Sequence, residues 1–286
     1  MKARWGSCWA LAALCVRGQD LVIKTDVRLV EVYATVLDQR GRYLDGLGAE
    51  RFEVRDNGAA QSITAFEAVA SNLACAVLLD TTGSMAGSLP LVKNAIVQLI
   101  DTLREKDSIA IYGFSSTLKV LQPFTSDKSA AKKAALRTRA EGGTALFDAI
   151  SQLARELSRR GGKKAMVVFT DGQDNASVLN AQAAIERAKK VGVPVHTVAQ
   201  GEARENSTLL RQLREISHRT GGQSYAVHKS QDVERIFRDI SQDLQHTYLL
   251  AYKAPPAEDP RWRTIQVSVS GLKDYKVRAK EGYSPQ

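Results

Sequence analysis

The stretch "CAVLLDTTGSMAGSLPLVKNAI" (residues 75–96) begins with an unbroken apolar run that stops at an aspartate. Thr82 and Ser84 follow Asp80 at two-residue steps, and apolar residues then recur at helical spacing (Val92, Ala95, Ile96, Leu99, Ile100, Leu103). A short apolar run closed by turn residues and followed by an amphipathic pattern reads as a buried strand feeding a crossover helix. The carboxylate and two hydroxyls on the turn therefore either cap that helix or hold an ion.

The same texture repeats outward from this point. Apolar runs at 74–79, 108–114, 164–170 and 193–199 alternate with helical periodicities that include Leu146, Ala149, Ile150, Leu153, Leu157 and Val233, Ile236, Phe237, Ile240, Leu244. Repeated strand–helix units predict an α/β fold, a doubly wound, mainly parallel sheet covered on both faces. The flanks differ. "VRLVEVYATVL" (27–37) is rich in β-branched residues, and "RFEVRDNGAAQSITAFE" (51–67) sets Asn57-Gly58 between two alternating runs, a hairpin signal. After 247, "TYLLAYKA", "TIQVSVS" and "YKVRAKEGY" return to strand character. Neither flank suffices for an independent sheet, so the two are expected to pair as one small β-sandwich with the α/β block inserted in it. The expected organisation is a leader at 1–18, an N-terminal β segment at 19–70, the α/β domain at 71–247 and a C-terminal β segment at 248–286.

Composition fits a folded protein, with 44% hydrophobic and 25% charged residues and a formal net charge of +9. The densest basic stretch, "RELSRRGGKK" (155–164), lacks interleaved aromatics and reads as a solvated helix end, so no nucleic acid is expected as a partner. Lys2 and Arg4 precede a short apolar core, Cys8 to Val16, and Val16-x-Gly18 suits cleavage before Gln19. That core is too short to span a bilayer, and no other segment approaches transmembrane length. The mature protein is expected to be secreted, periplasmic or in the cell envelope, with Cys75 as a lone buried thiol.

In open parallel sheets, ligands bind beyond the carboxyl ends of the strands. Three polar clusters are expected there: Asp80-Thr81-Thr82-Gly83-Ser84, "EGGTALFDAI" (141–150) with Thr144 directly before a helix, and "VVFTDGQDN" (167–175) with Asp171. Singly, Ser84 and Thr144 could be N-caps and Asp171-Gly172 a turn. Jointly they suggest one site.

Asp80-x-Thr82-x-Ser84 resembles the DxSxS motif of von Willebrand factor type A domains, with Thr in place of the middle Ser. Gly-Gly-Thr144 and Thr-Asp171-Gly are similar to the other two elements of that family's metal-ion-dependent adhesion site. With "GLGAERFEVRDNG", "YLLAY" and the final "EGY", the whole chain also resembles exported bacterial VWFA-related domain proteins. The resemblance implies a metal site of Asp80, Thr82, Ser84, Thr144 and Asp171 in an adhesion-type module that is not an enzyme. It implies Mg²⁺, with Mn²⁺ or Ca²⁺ as alternatives, and a protein partner presenting an Asp or Glu. Hydroxyl ligands leave the ion electrophilic, with Asp80 and Asp171 holding it through water. Asp174 is either a further water-binding neighbour or a solvated turn residue.

Two other readings stay open. Asp-Thr-Thr-Gly-Ser also resembles the start of phosphoaspartyl enzymes of the haloacid dehalogenase superfamily, with Asp80 as nucleophile, Asp171 on Mg²⁺ and Lys163 or Lys164 on the phosphate. Against it stand the missing lysine at 81 and the order Gln173-Asp174-Asn175. The other is a structural scaffold with a vestigial metal site. Ser129-x-x-Lys132 fits an Ala-Lys helix, and the histidines (196, 218, 228, 246) show no ligand spacing. N-terminal sequencing of the native protein is expected to begin at Gln19; an intact Met1 on cytoplasmic protein would overturn the leader.

Overall fold

The computed structural model describes residues 29–140, 143–229, 231–256 and 261–285. The expected leader, residues 1–18, lies outside them. The N-terminal flank forms β1 (Leu29–Asp38), β2 (Phe52–Asp56), β3 (Ala59–Gln61) and β4 (Ile63–Glu67). The central block contains β5 (Leu73–Asp80), α1 (Leu89–Thr102), β6 (Ser108–Phe114), β7 (Leu118–Thr125), α2 (Lys128–Arg137), α3 (Leu146–Leu157) and β8 (Lys163–Thr170). It continues through α4 (Ala181–Val191), β9 (Val195–Ala199), α5 (Gly201–Glu205), α6 (Ser207–Thr220), β10 (Ser224–Ala226) and α7 (Asp232–Gln245). The chain then returns to strands: β11 (Thr247–Lys253), β12 (Arg263–Val269), β13 (Tyr275–Ala279) and β14 (Gly282–Tyr283).

The central six-stranded sheet runs β10-β9-β8-β5-β6-β7, parallel throughout except for β7, which pairs antiparallel with β6. Successive residues of β5 point to opposite faces. Cys75, Val77 and Leu79 pack with Val92 and Ile96 of α1 and Phe237 of α7. Ala76 and Leu78 join Ile150 of α3, Ile185 of α4 and Leu213 of α6. Both layers are thus dry, and burial pushes the Cys75 thiol up to about 12. The strand order reverses between β5 and β8, so this sheet has its topological switch point there.

The flanks build two further antiparallel sheets, β13-β1-β11-β4 and β14-β12-β2-β3, each drawing strands from both sides of the central block. Leu29 of β1 faces Lys253 of β11, and Phe52 of β2 faces Val269 of β12. Val32, Val54, Tyr248 and Leu250 fill the space between the sheets. Asn57 (φ 47°) and Gly58 (φ 81°) make the expected two-residue turn between β2 and β3. The second alternating run does not continue as one strand. It breaks at Ser62, and β4 crosses to pair with β11 in the other sheet.

Asp56 is fully buried at the centre of this sandwich. It accepts hydrogen bonds from the phenols of Tyr252 (2.9 Å) and Tyr283 (2.8 Å) and from Arg263 Nε (2.6 Å). The fragments "FEVRDNG", "YLLAY" and "EGY" therefore meet at one carboxylate. The basic stretch at 155–164 also departs from expectation. Arg155 and Arg159 are exposed, but Lys163 and Lys164 are buried at the start of β8. Lys163 donates to the Val69 carbonyl (3.0 Å), and Lys164 pairs with Glu31 of β1 (2.8 Å). These lysines seal the seam between the α/β block and the sandwich, and burial pulls Lys163 down to about 8.

The seam carries other polar contacts. Arg278 of β13 bonds to the buried Asp243 of α7. His196 lies 3.8 Å from the same carboxylate, and burial takes its pKa down to about 4 against the pull of Asp243. Arg104 donates both to the Val69 carbonyl (2.9 Å), where the chain enters the α/β block, and to the Gln245 carbonyl (3.5 Å), where it leaves.

Removing the Asp56 carboxylate leaves two phenols of the core and the part-buried Arg263 guanidinium without their acceptor. Asp56→Ala is expected to cost about 3–5 kcal/mol in urea unfolding, against about 1 kcal/mol for Tyr283→Phe. Equal, small losses would show that the node is dispensable.

Candidate metal centre

β5 ends at Asp80, and the chain leaves it extended, with Thr82 at φ −77° and ψ 165° before a short 3-10 turn over Gly83–Ala86. Neither that turn nor α1 receives a side-chain cap: Thr82 and Ser88 stand at the N-cap positions without the capping bond. At α3 the N-cap is Ala145, again with no side-chain cap, so Thr144 does not cap either. Helix capping therefore does not account for these hydroxyls.

They bond to one another and to the carboxylates. Thr82 donates its hydroxyl (2.7 Å) and its backbone N–H (3.0 Å) to Asp80 Oδ1. Its Oγ1 lies 2.9 Å from Ser84 Oγ, which donates to Asp171 Oδ1 at 2.8 Å. A Cβ placed on Gly172 would sit 3.6 Å from both Ser84 Oγ and Thr144 Oγ1. The four loop oxygens thus line a cradle that glycine leaves open, and the five expected residues do come together at the switch point.

Three further residues build the site. Thr170, the last residue of β8, donates to Asp80 Oδ2 at 2.7 Å and so fixes the oxygen that Thr82 does not. Asn175 accepts from the Thr144 N–H at 2.9 Å and donates its own N–H to the Thr144 carbonyl at 3.0 Å. Asp174 accepts from Phe147 N–H (2.9 Å) and from the Ser177 hydroxyl (2.6 Å), serving the free start of α3. It is therefore neither a solvated turn residue nor aimed at the cradle. Thr170 was visible as a hydroxyl residue beside Asp171; the roles of Asn175 and Asp174 depend on a loop pairing that spacing does not encode.

Asp80 is wholly buried and Asp171 nearly so. Burial raises the Asp80 pKa, partly offset by hydrogen bonds from Thr82 and Thr170. Burial likewise raises Asp171; the Ser84 bond opposes this and the Asp80 charge reinforces it. Among the described residues neither carboxylate has an ion pair, and no three His, Cys, Asp or Glu side chains gather anywhere as a metal cluster. A cation at this cradle would rely on the hydroxyls.

The phosphoaspartyl arrangement does not assemble. Lys163 pairs in register with Leu73, seven residues before Asp80 on β5, so it lies about 23 Å down the sheet. Lys164 is committed to Glu31. Lys132, of the Ser-x-x-Lys match, pairs with Asp101.

A three-layer α/β domain with hydroxyls and carboxylates gathered at its switch point belongs to the doubly wound class, in which ligands bind at that edge of the sheet. The sequence profile of the von Willebrand factor type A domain matches residues 75–239, well over half of the chain, and the chain belongs to that family. Similar proteins include the uncharacterized protein YfbK of Escherichia coli, 26% identical over 69% of this chain and 35% of that one. Another is the uncharacterized protein sll0103 of Synechocystis, 28% identical over 63% of this chain and 45% of that one. The chain thus spans less than half the length of either relative. Among solved structures, a von Willebrand factor type A protein from Catenulispora acidiphila has a TM-score of 0.54 at 15% identity, covering 90% of this chain and 74% of that one. The vWF domain of the type V pili tip protein Mfa5 from Porphyromonas gingivalis scores 0.52 at 11% identity, covering 60% and 94%. These likenesses show the fold. Among the described residues no helix is long and apolar enough to cross a membrane.

The raised carboxylates give the site a pH signature. A folded-state pKa above the unfolded value adds stability that is full below the unfolded value, about 3.9. That stability is lost as pH rises through the raised pKa. In chelator, wild-type protein is therefore expected to lose stability relative to Asp80→Asn as pH rises above about 4. Thermal melts at stepped pH measure it; parallel profiles would mean that the Asp80 charge is not strained by burial.

Proposed function

We propose that this protein is an exported, metal-dependent protein-binding module, not an enzyme. Von Willebrand factor type A domains often serve protein interaction or adhesion, and one neighbour in fold is by name a pilus tip protein. The observation that carries the reading is the chain of oxygens from Thr170 through Asp80, Thr82 and Ser84 to Asp171, around a cradle that no cation of the described residues enters.

The donor set fits a hard divalent ion, Mg²⁺ before Mn²⁺ or Ca²⁺. Thr82, Ser84 and Thr144 would hold it directly, and Asp80 and Asp171 through water. Such an ion supplies an electrophilic position for an outside carboxylate. The protein's own part is orientation. Thr170 and the Thr82 N–H fix Asp80, Asn175 fixes the Thr144 backbone, and Gly172 keeps the space open. The partner would present an Asp or Glu there.

Titration calorimetry with Mg²⁺ tests the site. Asp80→Ala should abolish binding while keeping a cooperative melt. Thr82→Ser should bind as wild type, since the oxygen survives, and Thr82→Ala should weaken binding at least about 10-fold. A wild-type protein that binds no Mg²⁺, or an Asp80→Ala variant of equal affinity, would leave the oxygens as structural bonds only.

A further inference from the structure

Beside the cradle lies a cleft of about 550 Å³ between the β6–β7 hairpin and α2. It shares walls with the site. Thr81, between Asp80 and Thr82, and Ser115, whose carbonyl accepts from Ala145 N–H at 2.8 Å next to Thr144, both line it. Its floor is apolar. The Thr81 methyl and Leu121 close over Gly113, where a Cβ would meet them at 3.0 and 3.1 Å.

Its charge is one-sided. Lys119, Lys133, Arg137 and Arg139 line the cleft, and among the described residues no Asp or Glu does. Lys133 and Arg137 stand one turn apart on α2, a like-charge spacing that costs the helix stability. Among the described residues none of these four cations forms an ion pair, whereas on the same helix Lys132 pairs with Asp101 and Lys128 donates to the Asp101 carbonyl at 3.1 Å. The α2 lysines turned toward α1 are thus satisfied, whereas the cations turned toward the cleft have no ion pair among the described residues.

We propose that the cleft receives an acidic peptide segment: one carboxylate of the partner meets the metal site, and neighbouring Asp or Glu residues run over Lys119, Lys133, Arg137 and Arg139. This rests on the metal-site reading above. A protein segment fits better than nucleic acid because among the described residues no aromatic side chain lines the cleft to stack a base. The apolar floor suits the β-carbons and methylenes of an extended chain, and the four cations of its lining favour association with an acidic strand.

The probe is a fluorescent octaglutamate peptide followed by anisotropy, with Mg²⁺ or with chelator, at low and high salt. The Lys133→Gln/Arg137→Gln double variant should bind it about 3- to 30-fold more weakly than wild type. It should keep wild-type Mg²⁺ calorimetry, and salt should narrow the difference. Lys119→Gln, on a different element, should act in the same direction and guards against an effect confined to α2. If both variants bind the peptide as wild type does, the cleft assignment falls, and Mg²⁺ binding lost only in Asp80→Ala would leave the metal site standing. Peptide binding lost in the double variant but indifferent to chelator and to Asp80→Ala would keep the basic cleft and overturn the peptide's contact with the metal site. A single-stranded oligonucleotide of equal charge that binds more tightly than octaglutamate at matched salt would overturn the peptide assignment.

Discussion

A carboxylate at the end of a buried parallel strand must be desolvated by the layers that cover the sheet, and Asp80 meets that condition in full. Its two oxygens are then served by hydroxyls, Thr82 on one and Thr170 on the other, because the switch point brings the ends of β5 and β8 side by side. Hydroxyls satisfy lone pairs without cancelling charge, so the site keeps its negative field. The loops after β5, β6, β8 and before α3 are arranged around that fact. Ser84 reaches Asp171, Asn175 holds Thr144, and the Ser115 carbonyl takes the Ala145 N–H.

The sandwich contains a useful contrast. Asp56 is equally buried, yet it has a guanidinium and two phenols at hydrogen-bond distance. Asp243, also buried, has Arg278. The fold therefore knows how to neutralise an internal carboxylate when the purpose is structural. At the edge of the central sheet Asp80 and Asp171 are instead met by hydroxyls, and Asp107, buried before β6, by the backbone N–H groups of Leu73 and Arg104.

Much of this was legible in the residues. Runs at 74–79 and 164–170 became β5 and β8 because a strand covered on both faces must be apolar at every position, a pattern that survives without context. The gathering of the five oxygen residues was legible because a parallel sheet sends its strand ends to one edge. What escaped depends on tertiary detail. The edge strand β7 alternates poorly, and β10 is only three residues long. Helix α6 buries Ser217 and Thr220, whose hydroxyls are satisfied inside the fold, and so its stripe reads as polar. Lys163 and Lys164 looked solvated because a basic run reveals nothing about which neighbour will cover it. The break at Ser62 was hidden by an alternation that fits either sheet.

Arg104, which touches the carbonyls of Val69 and Gln245, has a meaning for the order of assembly. The pairs that make the sandwich, such as Leu29 with Lys253, are separated by more than two hundred positions in the chain. Closing so long a loop from a random coil costs about 2–3 kcal/mol more than closing one of about ten residues. Once the central block has folded, its entry and exit are fastened a side chain apart, and the long loop is replaced by two short tethers. A folded central block holds the end of β4 near the start of β11, so β1–β4, which precede β11 and β12 in the chain, pair with strands made more than a hundred residues later. During that wait their unpaired edges are open to other chains. A central block that closes quickly thus shortens the time for which those edges stay open.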